Sequence, residues 1–359
     1  MKLRVKNKTV TIMKTLAFKL IIIGFFSLIF NTAKADYVKN IHKSWGINKI
    51  QALNIESKFS NINIVNTRDD SVTIDVEIEI KRLSDNNAEY LANQIDFHFS
   101  LSGGTIYAKT EFSDRFKTKQ EFNITYTINI PTDRNLFVEN KYGNVTMGDL
   151  NALGEFEIQY GNIQGQDLKA PENEKIKLEV KYGSSSFDAI NNLYAEIGYG
   201  KLFADAVEKA NFDTQYSIIK VDKIGKAVAE SKYDHYEIDK VDELSIESKF
   251  TGWSIDRLTN KLYIDTQYGD VDIDDVGEGF EKIDVENSYG NIMIDIPSTA
   301  SYQLESECYY CRIRYNDNAE VIKSIQENNH QYIKANVGKG QPAARVKIES
   351  RYGKVSLKE

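Results

Sequence analysis

The sequence predicts an all-β fold: a single-stranded parallel β-helix or solenoid of about eleven short coils, with longer opening strands at its N-terminal end. Three observations predict it. An aromatic residue returns at a short interval, at Tyr142, Tyr160, Tyr182, Tyr199, Tyr216, Tyr233, Phe250, Tyr268, Tyr289, Tyr310 and Tyr352. The step is 17 residues throughout from Tyr182 to Phe250. Apolar residues alternate by twos on either side of each aromatic, which is strand periodicity with one face buried. Gly follows the aromatic at Gly143, Gly161, Gly183, Gly269, Gly290 and Gly353, marking a bend. A period this short cannot bury its own apolar face, so the units must stack.

The first segment stands outside this pattern. Lys2, Arg4, Lys6, Lys8 and Lys14 precede an apolar run from Leu16 to Phe30, and Ala33-Lys34-Ala35 offers small residues before Asp36. Residues 1–35 read as a cleaved signal peptide, which makes the protein exported, to the periplasm, cell surface or medium. The run is shorter than the roughly 20 residues needed to span a bilayer. No later stretch is long enough, so no transmembrane segment is expected after cleavage. Residues 36–50 read as a linker. Removing seven basic residues takes the net charge from −8 to −8 − 7 = −15. That excludes nucleic acid and anionic lipid as partners, which require clustered positive charge.

Residues 51–137 carry longer alternating strands, such as Val72, Ile74, Val76, Ile78 and Ile80, and Phe122, Ile124, Tyr126, Ile128 and Ile130. They read as opening coils that also cap the stack, since an exposed end would offer unpaired strands. Residues 85–94 read as a short helix. The regular array occupies residues 138–359. Its last aromatic step, 42 residues from Tyr310 to Tyr352, is taken to hide one coil without a clear corner.

Within the array, with the corner aromatic as position 0, position −4 is apolar (Phe212, Ala229, Ile246, Ile264, Val285). Position −2 is small and polar (Thr214, Ser231, Ser248, Thr266). Positions +3 and +5 are apolar, Tyr236 and Trp253 among them. The corner aromatic shares parity with −2 and −4, so its ring is expected inward, stacked between coils. Lys at −1 and Glu at −3 are expected to form a solvated, mutually neutralising outer face.

The corners Tyr142 to Val145, Tyr160 to Ile163 and Tyr289 to Ile292 read Tyr-Gly-Asn-Val or Tyr-Gly-Asn-Ile. They resemble those of the bacterial putative-adhesin β-helix family, which includes the GIN-type head domains, over about residues 50–359. The resemblance implies the solenoid fold and a surface-binding role. It supplies no catalytic residues. Ser217, Asp234 and Thr251 depart from the family's corner Gly.

Position +6 holds an aspartate column that includes Asp188, Asp205, Asp222, Asp239, Asp256, Asp274 and Asp295. Stacked like charges need a reason. One reading is backbone capping at a turn, with Lys223, Lys240 and Arg257 compensating. The other is a Ca²⁺ row, for which Asp222, Asp239, Asp256 and Asp274 are the metal candidates. Asp270, Asp272, Asp274 and Glu281 match EF-hand spacing, but Asp275 stands where that loop needs Gly.

Cys308 and Cys311 are the only cysteines. Three residues apart in extended chain is too far for a disulfide, unless the corner closes the gap. A local disulfide, two free thiols and a redox pair remain open. His42, His98, His235 and His330 share no metal-ligand spacing, and no catalytic motif or cofactor fingerprint is found. The sequence therefore favours a non-enzymatic envelope scaffold presenting flat faces to a surface macromolecule. A polysaccharide lyase or glycosidase and a self-assembling rod are the alternatives.

Overall fold

The computed structural model describes residues 37–81 and 85–357. The expected signal peptide and its cleavage site lie outside the described residues. The chain is all-β, with one α-helix, Asp85–Ala92, and one short 3-10 turn, Ile47–Lys49, among the described residues. The strands share one hydrogen-bonded sheet that folds at its corners.

The 17-residue period becomes a register. Ser184–Gly198, Lys201–Gln215, Ile218–Lys232, His235–Lys249 and Gly252–Gln267 pair successively, all parallel. Ala229 lies opposite Ile246, and Tyr236 opposite Trp253. Columns read from the sequence are therefore rows in space. Positions −4, +3, +5 and +8 are buried along this stretch, Tyr236 and Trp253 included. Each fully buried Ile or Leu is worth roughly 1.5–3 kcal/mol relative to exposure, and each gains that only from the coil above or below.

Two long faces result. One runs through the strands that precede each aromatic, from Ala52–Lys58 and Asn135–Lys141 through Gly154–Gln159 and Ile176–Lys181 into the long strands. The other runs through the strands that follow it, from Ser60–Asn66 and Val145–Met147 through Asn162–Leu168.

Both ends depart from the expected coils. Tyr37–Gly46, read as part of a linker, is a ten-residue strand antiparallel to Ser71–Ile80, which is antiparallel to Phe122–Ile130. Its alternating Tyr37, Ile41 and Trp45 pack against the core. Ile95–Ser102 and Thr105–Phe112 form an antiparallel hairpin. Thr105–Phe112 and Phe122–Ile130 themselves lie parallel to Ala52–Lys58 and Ser60–Asn66 as a longer-stranded opening rung, and antiparallel strands cover that rung.

The C-terminal end holds no hidden coil. Residues between Tyr310 and Tyr352 include Ala319–Glu327 and His330–Val337, an antiparallel hairpin laid beside Tyr302–Tyr309. Ala344–Arg351 then inserts in parallel between Lys282–Ser288 and Tyr302–Tyr309. Val355–Ser356 does the same between Ile292–Ile294 and Ile313–Arg314. The last coil in sequence is the penultimate rung in space.

Candidate functional site

The corner aromatics are the feature that the fold displays most. Each has φ between +52° and +60°, from Phe59 through Tyr352. An L-residue with a bulky side chain rarely adopts this left-handed conformation, which costs on the order of 1–2 kcal/mol. The sharp turn keeps the strand ladder intact, because the corner N–H still reaches the next rung: Tyr160 N–H donates to the Lys181 carbonyl at 2.9 Å and Tyr216 N–H to that of Lys232 at 3.0 Å.

The same turn reverses side-chain parity. The rings point outward, not inward as alternation predicts, and are 43–56% exposed. They form one row: Phe59, Tyr142, Tyr160, Tyr182, Tyr199, Tyr216, Tyr233, Phe250, Tyr268, Tyr289, Tyr352 and Tyr310. Neighbouring centroids are 4.7–5.1 Å apart, with planes within 16°. That spacing is the strand spacing. Ring faces cover one another, so the row presents ring edges and hydroxyls to solvent.

Position +1 takes the inward place instead. Ser60, Ser217, Asp234 and Thr251 are buried there. Asp234 accepts from Thr214 Oγ1 at 2.7 Å, Ser231 Oγ at 2.6 Å, Ser217 N–H at 2.6 Å and Lys232 N–H at 3.1 Å. Burial pushes its carboxyl above the usual range, while these donors pull it back. Burial likewise raises the Tyr236 phenol, whose hydroxyl meets Thr214 Oγ1 at 2.7 Å.

The turn brings −2 and +1 together across the corner. Ser57 Oγ donates to Ser60 Oγ at 2.7 Å by this route. Cys308 and Cys311 occupy the same two positions, with Cα atoms 5.6 Å apart, and are disulfide-bonded. Extended-chain spacing fails here because the left-handed residue lies between them.

One face beside the aromatic row is acidic. Glu56, Glu139, Glu157, Glu179, Glu196, Asp213, Glu230, Glu247, Asp265, Glu286, Glu349 and Glu307 lie opposite one another, rung after rung. The column between them and the rings holds Lys58, Lys141, Lys181, Lys232, Lys249 and Arg351, with uncharged residues at the remaining rungs. The expected mutual neutralisation is thus only half complete. Lys141 pairs with Glu139 at 3.0 Å, and Lys181 bridges Glu179 and Glu196. The line of carboxylates was legible as a column of Glu, but its continuity through Glu349 and Glu307 depends on the inserted last coil.

The aspartate column does stand in a row. Asp222, Asp239 and Asp256 are all raised above the usual carboxylate range, first by partial burial, then by the neighbouring aspartates. Among the described residues their carboxylates make no hydrogen bond to a backbone N–H, so turn capping does not explain these three. The compensation expected at the next residue is partial: Lys223 draws Asp222 down, but Arg257 pairs with Asp275 at 3.1 Å and Lys240 lies 3.9 Å from Asp242. Lys220, paired with Glu237 at 2.8 Å, offsets the row as well. Asp274 continues the series as a neighbour of Asp256 and Asp272. No group of three or more His, Cys, Asp or Glu among the described residues has the geometry to hold a metal ion. Asp270 of the EF-hand spacing is engaged elsewhere, accepting from Asn291 N–H at 2.7 Å. The four histidines are scattered, each beside a carboxylate: Asp75, Glu111, Glu237 and Glu307.

No family profile matches the chain, and no curated protein does. Among solved structures, it is similar to a putative cell adhesion protein from Clostridium sporogenes ATCC 15579 (8% identity, 90% of this chain and 99% of that one, TM-score 0.21). It is also similar to a putative lipid binding protein from Parabacteroides distasonis ATCC 8503 (11% identity, 66% and 96%, TM-score 0.36). A third is a putative adhesin from Bacteroides fragilis NCTC 9343 (13% identity, 72% and 97%, TM-score 0.34). No helix among the described residues is long and apolar enough to cross a membrane.

Proposed function

We propose that this protein is an exported, non-enzymatic β-solenoid of the cell envelope that acts as an adhesin-like scaffold. Its partner is an extended, positively charged surface macromolecule. One observation carries the reading: the unbroken line of carboxylates from Glu56 to Glu307, with half as many cations in the adjoining column. A surface that repeats at every rung suits a polymer, because each added rung raises the effective concentration for the next contact. Electrostatic complementarity of this kind speeds encounter and weakens with salt. Direct stacking of sugars on the tyrosines is not favoured along the row, because the ring faces are occupied by one another.

The test is binding of the purified protein to poly-L-lysine of graded length, with neutral dextran as control. Affinity is expected to rise with polymer length and to fall at high salt. A triple variant, Glu230→Gln, Glu247→Gln and Asp265→Asn, is expected to bind about tenfold more weakly, equivalent to about 1.4 kcal/mol. The same charge change made at Asp205, Asp222 and Asp239 is expected to leave binding in place. Equal losses from the two triples would show that net charge, not this face, does the binding, and the reading would fall.

A further inference from the structure

The two ends of the aromatic row differ. At the first ring, Phe112 and Phe122 stand edge-on to Phe59, with centroids 5.5 and 6.1 Å away. At the last ring, Tyr310 stacks on Tyr352 alone, at 4.8 Å, and is 56% exposed, the most of any ring in the row. Its second face has no aromatic cover among the described residues. Tyr310 is therefore the member of the row whose second ring face no described aromatic covers.

Beside it lies a shallow cavity of about 710 Å³, within the range of small-molecule sites. Its cationic lining is Arg312, Arg314 and Lys354. All three are exposed, and among the described residues none lies within an ion-pair distance of a carboxylate. Ile313 pairs with Val355, so Arg312 and Lys354 precede partnered residues on adjacent rungs, and Arg314 projects from the same strand face as Arg312. Like charges on neighbouring rungs repel. Here three cations converge beside Tyr310, against a single carboxylate, Glu327, in the cavity lining. Asn328 and Asn329, at the hairpin tip over the cavity, add side-chain amides. The Cys308–Cys311 disulfide ties down the corner from which Arg312 departs, so the arrangement is held before any ligand arrives.

We infer that this end cavity binds an acidic sugar, a hexose bearing a carboxylate. The apolar C–H face of the sugar lies on the open face of Tyr310. Its carboxylate is held by Arg312 and Arg314, with Lys354 adding charge, and its hydroxyls meet the amides of Asn328 and Asn329. Arginine suits this task because its fork matches a carboxylate in two parallel hydrogen bonds. The site is separate from the carboxylate line, whose charge is opposite, so its failure leaves the reading of that face standing.

The test is calorimetric titration of the full protein with glucuronate, using glucose and acetate as probes that each keep half of the chemistry. Glucuronate is expected to bind at least tenfold more tightly than either. Arg312→Gln with Arg314→Gln is expected to abolish that advantage, Tyr310→Ala to reduce it to the level of acetate, and Tyr310→Phe to retain it. Far-ultraviolet circular dichroism and the melting temperature check that each variant folds. The Glu230, Glu247 and Asp265 triple is expected to bind glucuronate as wild type does. Glucuronate binding no tighter than acetate would leave an anion site without sugar recognition and overturn the proposal. Binding that survives the double arginine variant would place it elsewhere and overturn it as well.

Discussion

Two kinds of corner share this chain, and they satisfy the same backbone group in two ways. In the Gly corners at Tyr142, Tyr160 and Tyr289, the N–H at position +2 donates outward to a neighbouring side chain. Asn144 N–H reaches Asn61 Oδ1, Asn162 N–H reaches Asn144 Oδ1, and Asn291 N–H reaches Asp270 Oδ1. Successive corners then lie so close that a Cβ at Gly161 would sit 1.9 Å from the Gly143 carbonyl oxygen. In the polar corners the +2 N–H donates to backbone instead: His235 N–H to the Ser217 carbonyl and Gly252 N–H to that of Asp234. The +1 side chain turns inward and takes a different donor, as Ser217 N–H reaches Asp234 Oδ1 and Asp234 N–H reaches Thr251 Oγ1. Tyr-Gly-Asn is thus one complete hydrogen-bonding scheme, and Tyr/Phe followed by Ser, Asp or Thr is another. The lesson is that the scheme follows the side-chain acceptor at +2 of the neighbouring rung rather than the Gly alone, since Tyr199 keeps Gly200 and yet Lys201 N–H donates to the Gly183 carbonyl at 3.0 Å.

The largest effect is expected from forcing a side chain into the first scheme. Gly161→Ala should destabilise by roughly 3 kcal/mol or more, since the obstacle is backbone. Gly252→Ala, where the nearest atom is His235 Nδ1 at 3.4 Å, should stay close to wild type. Denaturant midpoints of the two variants decide it, and equal midpoints would break the distinction between corners.

Next comes the interior of the second scheme. Asp234→Ala leaves four donors without their acceptor and should cost about 2–4 kcal/mol. Asp234→Asn, which keeps one acceptor oxygen, should cost less. Thermal melts of both sharpen the comparison, and an Asp234→Ala variant as stable as wild type would remove the polar corner's rationale.

The aromatic row is common to both schemes and should respond alike in each. Tyr160→Ala and Tyr216→Ala each lose two stacked neighbours, worth about 1–3 kcal/mol together. Tyr199→Phe should lie within about 0.5 kcal/mol of wild type, because the corner hydroxyls face solvent and Phe250 already serves in the row. Melting temperatures would show whether the row is structural ballast or display.

The smallest effect concerns the aspartate column. Raised carboxyls at Asp222, Asp239 and Asp256 hold protons more tightly in the folded chain than in the unfolded one. Their contribution is therefore present below about pH 3.8, the ordinary aspartate value, and is lost as pH rises through the raised folded value. Asp239→Asn should raise the melting temperature by roughly 1–2 °C at pH 7, an advantage that disappears below pH 3.8. A fall instead of a rise at pH 7, with added Ca²⁺ raising the melting temperature of wild type but not of the variant, would mean that the carboxylates serve a cation.

Much of the scaffold is legible before any coordinates. The −4, +3 and +5 columns, Tyr236 and Trp253 among them, lie where alternation puts them. The candidate site is legible only in part. Alternation sends the corner rings inward, and they point outward, because one left-handed residue inverts the parity of everything beyond it. The same residue brings Cys308 to Cys311, which strand spacing keeps apart. The 42-residue step reads as a missing coil, although it contains a hairpin and a strand that returns into an earlier slot. No local pattern reports that return, because Ala344–Arg351 carries the same columns whichever rungs it joins.

By itself, then, the sequence determined the period, the buried columns, the all-β class and the acidic balance. These follow from spacing and charge, which are properties of the chain in order. Tertiary structure alone decided which way the rings face, which rung follows which, and which end of the row is left open. Those depend on the sign of one backbone angle and on non-local strand pairing, and neither changes the order of residues from which a sequence is read.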